Sequence, residues 1–256
     1  MLSRSYIFVL IAVFTLSFLQ ACATEYNPVT GRQEMIFISP QQESSMGRNI
    51  ARQVEEKYKV LKDPVLQERL YRVAEKLIPV QGRRDIVYHF EVLDDDDINA
   101  FTLPGGYIYV FRGLMEFVKN DDELAYIIGH EMGHNVAKHA VKKMQGAMGA
   151  QLLLLLSTQA DSPGFTRGME LALASIFSEY SQEDEFLADE LGIKYAREAG
   201  YDPSRAIDFM ERLQEYSRKK LRPITYFKTH PYLSSRMTRI KKILGLPLSV
   251  KDFINE

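Results

Sequence analysis

The chain has 256 residues, 46% of them hydrophobic, which is enough for one substantial core. Its 32 basic and 34 acidic side chains are well mixed and leave a formal net charge of -2, so there is no electrostatic footprint for nucleic acid. Nucleic acid is therefore not an expected partner, and a single cysteine excludes an intramolecular disulfide.

Residues 1–21 read as a signal peptide: Arg4 in a short amino-terminal region, an apolar stretch from Ile7 to Phe18, then small residues before a cleavage point. The ending Leu19-Gln20-Ala21-Cys22 resembles a bacterial lipobox, although Gln20 departs from the small or β-branched residue usual there. On that reading Cys22 is lipidated and becomes the new amino terminus, tying the protein to a membrane. The bland alternative is a leader or anchor helix that happens to contain Cys22. Thr24 is not the aspartate associated with inner-membrane retention, which favours an outer-membrane lipoprotein facing the periplasm. Residues 22–40, with the turn signals Asn27-Pro28 and Thr30-Gly31, read as a lipid-anchored tether, and residues 41–256 as the folded domain.

Apolar residues at three- and four-residue spacing predict helices over Ser44 to Lys59 and Pro64 to Leu77. Ile86 to Val92 alternates with the period of a half-buried strand, which points His89 to the opposite face and gives it a structural or exposed role. Asp94 to Asp97 lacks the spacing of a calcium loop and reads as a solvated turn. Asn99 to Thr102 and Tyr107 to Phe111 flank Leu103-Pro104-Gly105-Gly106, which predicts two short antiparallel strands around a tight turn.

Asn120, with Glu123 three residues on and acids throughout the first turn, marks a helix start; that helix is expected to reach His139 or a little further. Leu152 to Leu156 is the most hydrophobic run after the leader, yet too short to span a membrane, and is expected to pack in the core. Further helices are expected over Met169 to Tyr180, Gln182 to Ala199, Pro203 to Lys219 and Ser234 to Leu244. The sum is an α+β fold, mostly helical with one small antiparallel sheet.

Chemistry concentrates in His130-Glu131-Met132-Gly133-His134. On a helix, residues four apart lie about 40° apart around the axis and one turn along it, so both imidazoles can reach one cation. Glu131 projects about 100° away from His130, beside the open position of such a metal, where a general base is needed. Zinc held by three protein ligands keeps a water as fourth ligand, lowers its pKa from 15.7 to about 7 and polarises a substrate carbonyl. Two exposed histidines meeting by chance would rarely have glutamate in that slot on a capped helix. A third ligand must come from elsewhere, and Ser181 to Gly192 offers several carboxylates. Glu185 and Asp189 share a helix face there, and Ala188 and Gly192 would allow a close helix approach.

His-Glu-x-x-His together with Glu-x-x-Ala-Asp at Glu185 to Asp189 resembles the M48 metallopeptidases. The resemblance extends to Asn27-Pro28-Val29-Thr30-Gly31, Asn99-Ala100-Phe101 through Pro104-Gly105-Gly106, and Gly200-Tyr201-Asp202-Pro203, so it covers nearly all the chain beyond the leader. It implies a zincin-like metallopeptidase domain with the sheet beside the active-site helix. It also implies one Zn2+ on His130, His134 and Glu185, Glu131 as base, and Asp189 orienting a zinc-bound histidine. Glu183 and Glu190 are left to a solvated face. His139, five residues after His134, falls off the ligand face and is assigned a structural role. His230 in Thr229-His230-Pro231, followed by Arg236, matches the family's late His-Pro element; it either donates to the oxyanion of the tetrahedral intermediate or caps the zinc.

In such a family the strand at Asn99 to Phe101 is expected to line the cleft and accept an extended polypeptide along its edge. The resulting expectation is a zinc endopeptidase acting on unfolded or misassembled proteins of the bacterial cell envelope. The competing classes are a chaperone-like assembly factor with a structural zinc site, against which Glu131 argues, and an integral-membrane prenyl-peptide protease, for which spanning segments are lacking. Substrate, cleavage preference and oligomeric state are not encoded in any readable motif.

Overall fold

The computed structural model describes residues 24–27, 31–157, 174, 177–219, 225–250 and 252, so the expected signal peptide and Cys22 lie outside it. An antiparallel hairpin comes first, β1 (Thr24–Asn27) and β2 (Arg32–Met35), with Asn27 opposite Arg32. In the stretch that reads as a tether, the described residues are thus tied to the body. Ile36 and Ile38 pack with Val141, and the Phe37 and Ile38 amides both donate to Gln145 Oε1. A reciprocal capping box between Ser39 and Gln42 opens α1 (Pro40–Lys57), and Asp63 caps α2 (Pro64–Leu77).

Three strands follow: β3 (His89–Leu93), β4 (Ala100–Leu103) and β5 (Tyr107–Phe111). β4 and β5 pair antiparallel around a short 3-10 turn at Pro104–Gly106, where Gly105 takes φ 77°, a value open to glycine. β3 pairs parallel with the other side of β5, so the sheet is mixed, in the order β3-β5-β4. The two-residue period announces a strand but not its direction. Here β4 itself carries the chain back, so β3 and β5 run the same way. His89 is itself exposed, stacked 4.4 Å from Tyr107. The acidic turn is tied down by Arg112, 3.1 Å from Asp94 and also paired with Asp96.

The remaining helices are α3 (Arg112–Phe117), α4 (Asp121–Val136), α5 (His139–Ser157), α6 (Gln182–Glu198), α7 (Arg205–Lys219), α8 (Tyr226–Thr229) and α9 (Leu233–Leu244). The main core gathers Leu70 and Val73 of α2, Phe90 and Val110 of the sheet, Leu124 and Ile128 of α4, and side chains of α6, α7 and α9. A second cluster, with Ile50 and Val54 of α1 against Phe101, Tyr109 and Phe111, covers the other face of the sheet. The sheet is thus sandwiched, and among the described residues β4 is a free edge.

Two expectations change. The motif helix stops at Val136 rather than continuing through His139. Lys138 turns left-handed (φ 56°), and His139 begins the next helix. No glycine or proline announces this break. The helix expected over Met169 to Tyr180 lies mostly outside the described residues; Ala174 is helical, whereas Phe177 to Tyr180 form a turn running into irregular backbone. The side chains of Leu152 to Leu156 are likewise outside them. Among the described residues no helix is long and apolar enough to cross a membrane.

One buried ion pair locks three of these elements together. Glu43 of α1, 1% exposed, takes both arms of Arg83, one of them at 2.8 Å, and accepts the Gly105 amide at 3.0 Å. Arg83 also donates to the Asn135 carbonyl at the end of α4, at 3.0 Å. Removing Glu43 leaves Arg83 in a dry site with only the partly exposed Asp85 as ionic partner among the described residues, so Glu43→Ala is expected to lose about 1–3 kcal/mol in urea unfolding. A loss below about 1 kcal/mol, the range of exposed pairs, would refute the clamp.

Candidate metal centre

Asn120 accepts the Glu123 amide and starts α4, whose last two turns carry His130 and His134. Ser181, in a capping box with Asp184, starts α6 one residue before its first turn delivers Glu185. The two helices cross in unusually close contact. A methyl group at Gly192 of α6 would lie 2.9 Å from the His130 amide nitrogen, and one at Gly129 would lie 3.1 Å from the Gly192 Cα. Only hydrogen fits at that crossing, and it sets Glu185 directly opposite the two histidines.

The result is a converging set of donors. His130 Nε2 and His134 Nε2 are 3.1 Å apart, Glu185 Oε1 is 3.3 Å from His134 Nε2, and Glu185 Oε2 is 3.6 Å from His130 Nε2. His230, which follows α8, adds Nδ1 at 3.3 Å from His130 Nε2 and 3.1 Å from Glu185 Oε1. All four ligand atoms lie within 4.8 Å of one another, and all four residues are buried. Atoms bound tetrahedrally to zinc at about 2.0 Å are spaced by about 3.3 Å, so these separations fit one small cation.

Hydrogen bonds behind the donors hold their lone pairs inward. Asp189 Oδ1 lies 2.8 Å from His130 Nδ1 and accepts its proton, which leaves Nε2 unprotonated. Asp184 Oδ1, 3.2 Å from His139 Nε2, accepts that proton; His139 Nδ1, 2.8 Å away, then accepts from His134 Nδ1. His139 therefore has the structural role expected of it, and the left-handed break at Lys138 is what swings it back beside His134. Tyr180 stacks on the His134 ring, 4.0 Å between centroids.

Arg236 of α9 is placed by the sequence after the His-Pro element without being assigned a role. Fully buried, it binds Asp189 through Nε (2.8 Å) and Nη2 (2.6 Å) and sets Nη1 2.6 Å from Glu185 Oε2. The Nη1 contact is an ion pair, without hydrogen-bond alignment. Tyr126 donates to Asp189 Oδ1 at 2.7 Å. An arginine in the first turn of an amphipathic helix has no local signal; its role exists only once α9 packs on α6.

Burial and charge tune these groups apart. Burial opposes ionisation of Asp189, but Arg236 and the His130 hydrogen bond overcome it and bring its pKa down to about 2. Glu185 is likewise desolvated, yet Arg236 and His230 hold it well below the usual carboxylate range. Burial pushes the Glu131 carboxyl up, with His230 and His134 only partly offsetting it. Burial lowers His134 to about 4 and also lowers His130, so both are neutral imidazoles able to bind metal. His230, although desolvated, is raised by Glu185 and Glu131. Three buried carboxylates thus face one buried guanidinium, an imbalance that a dication would relieve.

Among the described residues neither Glu131 oxygen, both buried, has a hydrogen-bond partner, with His230 Nε2 3.4 Å from Oε1. Glu183 and Glu190 take no part in the centre. His139→Ala would leave the His134 proton without its acceptor and is expected to weaken zinc affinity about 10–100-fold in a chelator competition titration. His139→Gln, which can still accept, should recover most of it; equal affinity in all three proteins would exclude the relay.

The family model described as Peptidase family M48 matches residues 64–244, which include α4, α6 and His230. The chain is 28% identical over 227 residues to the beta-barrel assembly-enhancing protease of Yersinia pestis, covering 84% of this chain and 46% of that protein. It is 27% identical over 223 residues to the mitochondrial metalloendopeptidase OMA1 of Schizosaccharomyces pombe, covering 86% and 66% respectively. To the OMA1 of Arabidopsis thaliana it is 34% identical over 140 residues, 55% of this chain and 28% of that one. The chain thus spans less than half the length of the first of these relatives. A match running from α2 to the end of α9 takes in every residue of the centre, and it establishes that the chain belongs to peptidase family M48.

Proposed function

We propose that the protein is a zinc endopeptidase that hydrolyses extended segments of unfolded or misassembled polypeptides, with Glu131 as general base. Zinc on His130, His134 and Glu185 would supply Lewis-acid polarisation of the scissile carbonyl and a water acidified to a pKa of about 7. The observation that carries the reading is the state of Glu131. Its carboxylate is wholly buried one residue from a ligand and makes no hydrogen bond among the described residues, so packing alone gives no reason for a charge there. A raised proton affinity suits a group that takes a proton from the attacking water and returns it to the leaving amine.

Asp189 holds His130 in its ligating tautomer, and Arg236 keeps Asp189 and Glu185 anionic. His230 is read as the regulator or electrophile of the centre: in this conformation its Nδ1 takes the fourth corner of the donor set, while Nε2 faces Glu131. Extended substrate would add to the free edge of β4, which runs past His230 at Ala100, where His230 Nε2 is 3.4 Å from the carbonyl oxygen. Location is inferred from the sequence: a lipid on Cys22 would hold the enzyme at the bacterial cell envelope, facing the periplasm. A relative named for enhancing β-barrel assembly supports substrates among proteins that have failed to assemble there.

Glu131→Gln should keep fold and zinc content while peptide cleavage falls about a hundredfold to ten-thousandfold. Retained turnover with full zinc would remove Glu131 from the chemistry. His230→Ala separates its two roles. A rise in kcat identifies a cap, a fall with KM unchanged identifies an oxyanion donor, and wild-type kinetics would defeat both.

A further inference from the structure

A cavity of about 450 Å³ lies between α1, the sheet and α8, and its lining comes close to the centre at two places. One wall ends at Asn99, next to Ala100, whose carbonyl faces His230; another ends at Thr229, the residue before His230. Its size falls in the range of about 300–1,000 Å³ that ligand sites occupy. The apolar part of its lining is mostly aromatic. Phe101 meets Phe111 and Phe177 edge-on at 5.9 and 5.4 Å, and Tyr58 meets Phe111 at 5.4 Å. The rim carries both signs, Lys57 and Lys228 against Asp95 and Asp97, so it offers no preference for a charged ligand.

Strand geometry says what could enter. The Asn99 carbonyl accepts from the Phe111 amide at 3.0 Å, and in antiparallel alternation the next bonded pair is Phe101 with Tyr109. The main-chain groups of Ala100 and Thr102 therefore point to the free edge. A peptide paired there with Ala100 displays its two flanking side chains on the face shared by Asn99 and Phe101, which is the face that lines the cavity.

We propose that this cavity is a specificity pocket for a large apolar, preferably aromatic, substrate side chain adjacent to the residue paired with Ala100. This rests on the peptide-hydrolysis reading and sharpens its substrate class. Aromatic side chains are buried in folded proteins and displayed in unfolded ones, so such a pocket would select for loss of structure without reading any one sequence.

The test uses a peptide series varied one position at a time among Phe, Leu, Ala and Glu. Binding is measured on zinc-loaded Glu131→Gln by fluorescence anisotropy and cleavage on zinc-loaded wild type. One position is expected to favour Phe over Ala by about tenfold or more in affinity, with Glu disfavoured. Phe177→Ala, at a half-exposed residue, and Gln53→Trp, which projects bulk into the cavity, should each reduce that Phe-to-Ala ratio severalfold. No aromatic preference at any position, or a ratio untouched in both variants, overturns the pocket. Cleavage without aromatic preference leaves the protease reading standing alone. Aromatic-selective binding with no cleavage by wild type upholds the pocket and defeats that reading instead.

Discussion

The crossing of α4 and α6 at Gly129 and Gly192 sets the geometry on which the centre depends. Backbones touch there, and no side chain separates the two helices. Had Gly192 carried even a methyl group, the helices would have to part or rotate. Glu185, seven residues earlier on α6, would then no longer meet His130 and His134 at 3.3–3.6 Å. Four residues beyond Glu185, Asp189 lands behind His130 by the same helical repeat that set Glu185 in front of it. One close contact therefore positions a ligand and the group that orients a ligand.

Close packing of carboxylates has an electrostatic cost, and Arg236 meets it. Desolvated acids at this density would ordinarily take up protons. The guanidinium touches Glu185 and Asp189 and holds both ionised, whereas Glu131 lies on the other side of the donor set and has no such contact. Tyr126, Tyr180 and Tyr226 surround these charges with rings whose hydroxyls burial keeps protonated, so the polar centre sits in a largely apolar shell.

The parts of the molecule governed by local rules could be read before folding. The Asn120 cap, the limits of α2, the start of α6 at Gln182 and the His-Glu-x-x-His spacing all follow from interactions within a turn or two of helix. Choosing Glu185 as the ligand and Asp189 as the orienting group needed the family pattern, because both occupy one helix face. Long-range and conformational features were hidden. Lys138 adopts a left-handed turn with no glycine to signal it, β3 joins the sheet parallel, and Arg236 acquires partners 47 and 51 residues away only through helix packing. Tyr180, which stacks on a histidine from irregular backbone, obeys no periodicity at all.

The three carboxylates show how one small site can assign different tasks to the same functional group. Acid and base roles follow where neighbouring groups are pushed apart in proton affinity. Asp189 and Glu185, both in contact with Arg236, are fixed as anions across the physiological range, which is what a metal ligand and its orienting partner require. Glu131, equally buried but without that contact, is raised and so can hold a proton for part of a cycle. Two of the three are the same residue, glutamate, so the division comes from their surroundings and not from the side chains themselves. On the proposed mechanism, the chemistry is thus specified less by having three acids in the site than by which two of them Arg236 can reach.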